Sequence, residues 1–348
     1  RVFRMPMDDS FDPCALYGDF RGQGPVHAAP QPCPTTRCAF HDGICCVCRI
    51  GMYTTLTKGR PMTVFSILRA GALALIGLGV LAFLAVFVSG LAQDGRMSAR
   101  LDRAVAVDRV NAPTAPAALP DDLPAPLQRL AARLSPEARA VIGVRMRLEG
   151  DILLPGTDTW RSIRGAQYIS AVSPSFLWTI QADAGPLWVD VTDHYTRCEG
   201  SILTRGYGLL PVMNERGVEE LSITQMVRWS GLLAMVPQAL LTHPAITWDP
   251  IDDTSARATI RDCDLVGRQV FHFDADGNVI RTESRDRYEL FPGKGYLPTG
   301  SIMHRTAFEV IDGISIPTEA TIIRIEDGTP VEFLRERFFD IETVRAAP

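Results

Sequence analysis

Residues 218–242 read VEELSITQMVRWSGLLAMVPQALLT, the most apolar run outside a stretch nearer the N-terminus. Arg228 is its only charge after Glu220, and Pro237 has to break or kink any helix that reaches it. Ser222 or Thr224 can cap the start. A helix that is apolar nearly all round has to be buried. The part before Pro237 is too short to cross a bilayer, which takes about 20 residues. The segment is therefore expected inside a shell built by the rest of its domain.

That shell is legible on both sides. From Val144 the period changes from about 3.6 to 2. Val144, Met146, Leu148, Gly150 and Ile152 alternate with Arg145, Arg147, Glu149 and Asp151. This is the pattern of an antiparallel strand with one face buried. Similar pieces cover 160–170, 176–181, 187–191 and 201–207 before the helix. They resume after it at 256–261, 265–273, 279–288, 302–311, 315–325 and 331–339. Asp276-Gly277-Asn278 and Asp312-Gly313 read as hairpin turns. Asp274 to Asn278 starts like a calcium loop. An EF-hand needs Gly at position six, Glu at twelve and flanking helices, so the turn reading is taken. The expected fold class is α+β and β-rich. About ten or eleven strands form a large curved antiparallel sheet or open barrel wrapped around the buried helix.

Moving toward the N-terminus, 127–134 (LQRLAARL) puts Leu127, Leu130 and Leu134 on one helical face, and Ser135-Pro136-Glu137 starts a second short helix. Residues 111–126, NAPTAPAALPDDLPAP, carry five prolines and favour an extended spacer. Before them, 93–110 can continue as a charged helix. Ala70 to Ala92, AGALALIGLGVLAFLAVFVSGLA, has 23 residues without a charge, enough to cross a bilayer as one transmembrane helix. Its length favours an uncleaved anchor, while Gly90-Leu91-Ala92 leaves cleavage after Ala92 as the alternative. Lys58, Arg60 and Arg69 on one side balance Arg96, Arg100 and Arg103 on the other, so charge does not set the orientation. A bacterial inner membrane with the domain outside the cytoplasm is the expected location. The expected organisation is a leader over 1–61, an anchor over 62–93, a linker over 94–126 and a β-rich domain over 127–348.

Six of the eight cysteines (Cys14, Cys33, Cys38, Cys45, Cys46 and Cys48) lie in the leader, with no repeated C-x2-C pair to hold zinc. The leader also lacks helical or strand periodicity. It reads as upstream sequence before a natural start at Met62, whose removal should leave the domain intact. Cys198 and Cys263 stand alone in the domain. They pair if the domain is exported, and otherwise act as two separate small buried residues, the reading preferred here.

Net charge is −5, so nothing general favours nucleic acid as a partner. No serine-nucleophile elbow, zinc-protease motif, phosphate loop or dinucleotide fingerprint is present. His194, His243, His272 and His304 are scattered without metal spacing. Asp193 and His194 are the one close acid–His pair, yet neighbours on a strand face opposite sides. No catalytic residue, metal or cofactor is therefore expected. Trp160, Trp178, Trp188 and Trp229 supply large apolar area, which serves packing or ligand binding alike. If the space between helix and sheet holds an apolar ligand, its expected lining is Trp178, Trp188, Met226, Trp229 and Leu233. The first expectation is a lipid-binding or carrier module. The alternatives are a membrane-associated hydrolase and a structural or protein-interaction module.

Several fragments together resemble a family. They are Trp160 with Ala166-Gln167-Tyr168, Phe176-Leu177-Trp178, Asp193-His194-Tyr195 with Gly200, and Arg228-Trp229 leading to Pro237-Gln238-Ala239-Leu240-Leu241. Trp248-Asp249, Asp286-Arg287-Tyr288 and Gly313-Ile314-Ser315-Ile316-Pro317 continue the pattern. Over roughly 122–344 the text resembles an uncharacterised family of bacterial membrane-anchored proteins, a domain of unknown function. Members of that family often carry a glutamate shortly after the Arg-aromatic pair, where this chain has Ser230-Gly231-Leu232-Leu233. The sheet-around-helix layout also resembles, in architecture, the LolA-like lipoprotein carriers of the bacterial envelope. That likeness implies an apolar ligand.

Overall fold

The structure, a computed structural model, describes residues 64–113, 117–153, 157–183, 188–291, 293–326 and 328–346. The expectations for 1–61 fall outside the described residues. Helix α1 (Val64–Leu91) contains the uncharged run up to Leu91, and α2 (Gln93–Asn111) follows after a one-residue break at Ala92. After the proline-rich spacer come α3 (Ala125–Arg133) and α4 (Pro136–Arg139). The Ser135 hydroxyl caps α4 by accepting from the Ala138 N–H at 3.2 Å, as Ser-Pro-Glu predicts.

Strands β1 (Val141–Leu153), β2 (Trp160–Ser170), β3 (Phe176–Asp183), β4 (Trp188–Thr196), β5 (Glu199–Gly206) and β6 (Leu210–Arg216) precede the central helices. Those helices are α5 (Glu219–Leu232), a 3-10 turn over Leu233–Met235, and α6 (Pro237–Thr242). The second half holds β7 (Ile246–Pro250), β8 (Ser255–Asp262), β9 (Leu265–Phe273), β10 (Val279–Ser284), β11 (Tyr288–Phe291), β12 (Gly295–Pro298), β13 (Ser301–Ile311), β14 (Ile314–Glu326) and β15 (Thr329–Arg345). Thirteen of these form one antiparallel sheet in the order β6-β5-β4-β3-β2-β1-β15-β14-β13-β10-β9-β8-β7, and β11 and β12 form a separate hairpin. The β13–β14 turn has Asp312 at φ 49° and Gly313 at φ 79°, the two positive angles that a type I′ hairpin needs.

The sheet curls around α5. The helix packs against β4 and β5 on one arm and β8 and β9 on the other. Two glycines permit this clamp. A Cβ on Gly200 would meet the Leu221 carbonyl oxygen at 2.8 Å, and one on Gly267 would meet the Val227 side chain at 2.5 Å. Met226, Val227, Trp229 and Leu233 are fully buried. Their residue type explains this, since each large apolar side chain taken out of water contributes roughly 1.5–3 kcal/mol. The expected caps are not used. Val218 occupies the N-cap position without a side-chain bond, because the Ser222 hydroxyl instead accepts from the Gly200 N–H and the Thr224 hydroxyl bonds Tyr288. Both side chains tie the helix to its shell.

A disulfide joins Cys198, in the β4–β5 turn, to Cys263, in the β8–β9 turn, with Cα atoms 6.0 Å apart. The preferred reading of two separate cysteines is thereby corrected. Eight strand-to-strand steps separate β4 from β9. Neighbouring strands rotate by roughly 20–25°, so the sheet turns through about half a circle between them. That twist brings turns from opposite ends of the sheet together. Beside the bridge, the Tyr195 hydroxyl donates to Asp262 at 2.8 Å.

On the opposite face, α2 lies against the sheet. Met97, Leu101 and Val105 pack with Ile142, Ala166, Tyr168 and Val344. The buried Tyr168 hydroxyl donates to Asp108 at 2.5 Å. Strand β2 is thus covered twice, with Ile163 and Ile169 facing the α5 side and Ala166 and Tyr168 facing α2. Four strands lay outside the expected set. β6 is exposed along nearly its whole length and contains Pro211, so it shows no in-out alternation. β7 is the other edge, and the expected strand over 279–288 ends at Ser284 as β10, with the β11–β12 hairpin beginning only at Tyr288.

Candidate functional site

Cross-strand pairing sets Gln167, Trp178 and Asp193 side by side on β2, β3 and β4. Directly paired residues point to the same face, and this row faces α5. Arg228 of α5 donates to Asp193 Oδ2 at 2.6 Å. Its guanidinium lies 4.6 Å from the Trp178 ring centroid and 5.2 Å from that of Phe176. Trp178 Nε1 in turn donates to Glu336 Oε1 of β15 at 2.7 Å. Burial pushes the Asp193 and Glu336 carboxyls above the usual range, and Arg228 acts in the opposite direction on both. Arg287, half-buried before β11, is held down to about 10 by burial and by Arg228. The result is a group of Arg228, Asp193 and Glu336 in the interior, with Arg287 half-buried near them. Each of these charges buried alone would cost several kcal/mol.

Some polar atoms in this interior have no protein partner. They are both side-chain polar atoms of Gln167, Asp193 Oδ1 and Gln225 Oε1. An unsatisfied buried group costs roughly 1–3 kcal/mol. In the second arm, Arg305 is buried without a carboxylate. It donates to the Gly231 carbonyl at 2.6 Å, and burial holds it down to about 9.

A cleft of about 910 Å³ opens in the second arm, between the sheet and the segment that carries the β11–β12 hairpin. Val270, Ile302, Ile325 and Pro298 give it apolar walls. Arg257, Arg268 and Arg285 also line it, against Glu283 and Asp286. Gln269, another lining residue, accepts a bond from Ser230 of α5 at 2.9 Å. Arg257, Val270, Glu283 and Ile302 pair directly across β8, β9, β10 and β13 and share the face of the sheet that points away from α5, whereas the Gln269 side chain points toward the helix.

Four residues named from sequence, Trp178, Met226, Trp229 and Leu233, fall into one core cluster around α5. Trp229 Nε1 donates to the Ser170 carbonyl at 3.1 Å, and its ring meets His243 edge-on at 4.9 Å. Trp188 is elsewhere, half-buried against the end of α1. Glu336 and Arg305 were not singled out from sequence, and Arg287 entered only as part of the fragment Asp286-Arg287-Tyr288. Arg228 did carry a signal, as the lone charge in an apolar helix. Asp193 and His194 form no acid–His pair: Asp193 turns to Arg228, while His194 Nδ1 is 2.7 Å from Ser201 Oγ. Cys198, Asp262 and Cys263 are close enough to hold a metal, but the disulfide occupies both sulfurs.

A family described as a family of unknown function, DUF6920, matches residues 121–342. No curated protein matches the chain. Among solved structures, a DUF1329 family protein from Desulfovibrio piger aligns with a TM-score of 0.35 and 13% identity, over 63% of this chain and 92% of its own. A LolA superfamily protein from Nitrosomonas europaea aligns with a TM-score of 0.33 and 11% identity, over 65% of this chain and 96% of its own.

Proposed function

The chain belongs to the DUF6920 family of unknown function, and from that premise we propose that it is a membrane-tethered module that binds or carries a lipid or similar amphiphile. The observation that carries this reading is the 910 Å³ cleft in the second arm of the sheet. Its size falls within the range of about 300–1,000 Å³ usual for small-molecule sites. Its apolar walls suit an acyl chain, and its arginines suit a negatively charged head group. Trp178, Met226, Trp229 and Leu233 are packed on the α5 side of the sheet and would meet a ligand only if that core opened. Residues 67–91 form a helix long and apolar enough to cross a membrane, which supports the tether. The Cys198–Cys263 bridge favours an oxidising compartment, hence the outer side of a bacterial inner membrane.

The test is native mass spectrometry of the full chain extracted in mild detergent, together with uptake of a fluorescent fatty acyl probe. Retained lipid and saturable uptake are expected, and Ile302→Trp, which fills the cleft, should abolish both. A chain that retains no lipid and takes up no probe overturns the reading. One observation favours a second reading, a tethered structural module: Met226, Trp229 and Leu233 are already fully packed.

A further inference from the structure

The last turn of α1 is fixed to the β5–β6 hairpin. Ser89, 4% exposed, donates from its hydroxyl to the Tyr207 carbonyl at 2.9 Å. Arg96, in the first turns of α2, donates back to the Ser89 carbonyl at 2.6 Å. A Cβ on Gly90 would lie 3.5 Å from the Trp188 ring. Trp188 meets Tyr207 edge-on at 5.4 Å. The hairpin tip therefore sits where the uncharged run ends and Gln93, Asp94 and Arg96 begin. Beyond that tip the side chains turn apolar and bare. Leu210 is 63% exposed and Val212 70% exposed, and Leu209 is exposed beside them.

An exposed apolar cluster needs a partner. This one belongs to the hairpin whose tip is bonded to the last turn of α1. Trp and Tyr at such a level are the residues that favour the boundary between acyl chains and head groups. We propose that the β5–β6 hairpin is a second membrane contact: Leu209, Leu210 and Val212 enter the leaflet that α1 leaves, with Trp188 and Tyr207 at its boundary. The inference rests on the reading of α1 as a membrane span. It assigns Trp188 to the bilayer surface instead of the ligand site. It also fixes the tilt of the domain, because two contacts and the docked α2 leave the sheet little freedom to swing.

The test uses the full chain in phosphatidylethanolamine–phosphatidylglycerol vesicles, with p-benzoylphenylalanine replacing Leu210 or Val212 one at a time. Phe87 in α1 reports on the span, and Val310, 73% exposed on β13, reports on random contact. All four side chains lie on the protein's outer surface, so each substitution leaves the core untouched. After irradiation, lipid adducts are expected at 87, 210 and 212 and not at 310. Adducts at 87 without any at 210 and 212 overturn the hairpin contact and leave the span standing. No adduct at 87 overturns the span and the hairpin contact with it. Chain-to-chain adducts at 210 or 212 identify a second copy as the occupant of this edge and overturn the proposal, as does equal labelling at 310.

Discussion

Asp193 and Arg228 are each about one-tenth exposed and bonded at 2.6 Å. Removing one partner of such a pair strands the other charge in the interior, at a cost of about 3–5 kcal/mol. Asp193→Ala should therefore lower the melting temperature far more than the double change Asp193→Leu with Arg228→Met, measured by thermal unfolding in detergent. His243 adds a pH term. Burial holds its pKa down from 6.5 to about 4, so the folded state resists protonation that the unfolded chain accepts. The associated stability is fully present above pH 6.5 and is lost as pH falls toward 4, by roughly 3 kcal/mol at most. His243→Phe keeps a ring beside Trp229 and removes the titration. Its melting temperature should fall less steeply than the wild type's between pH 6.5 and 4.5. At this scale the sequence marks Arg228 as unusual but not its partners, because Asp193 and Glu336 reach it only through the curvature of the sheet.

Helix α5 is held by backbone proximity as much as by side chains. Gly200→Ala pushes a methyl into the Leu221 carbonyl, and backbone cannot step aside as a flexible side chain can. It should cost about 1–3 kcal/mol, as overpacking does. Denaturant unfolding monitored by tryptophan fluorescence reads this directly, and no loss of stability would show that the clamp is loose. Elements whose faces see different surroundings were legible: β2 and β9 match the expected bounds residue for residue. The break at Pro237 and the Ser135 cap were legible as well. β6 and β7 were not, because an edge strand needs no buried face and so leaves no alternation. The β11–β12 hairpin was not legible either, because it starts at Tyr288, where the expected strand over 279–288 ends, and its two strands are only four residues each.

Across the whole molecule, a sheet enclosing an apolar helix was legible from the helix alone, since nothing else in the chain could cover it. The staple that closes the sheet was not, because its two cysteines meet only after the accumulated twist of eight strand steps. The bridge spans 65 residues, and a loop of that length stabilises by about 4 kcal/mol in the chain-entropy account. Cys198→Ser with Cys263→Ser should lower the melting temperature, and added reductant should then have no further effect on the domain. The same loop contains β6 and β7, the two edge strands of the thirteen-stranded sheet. An unpaired strand is a template on which another chain can add, the usual start of fibril growth. With the bridge closed, both templates belong to one covalent ring that also holds the central helix, so neither strand can peel far from the body to recruit a neighbour. A reducing environment would thus change the protein's colloidal behaviour before it changed its shape.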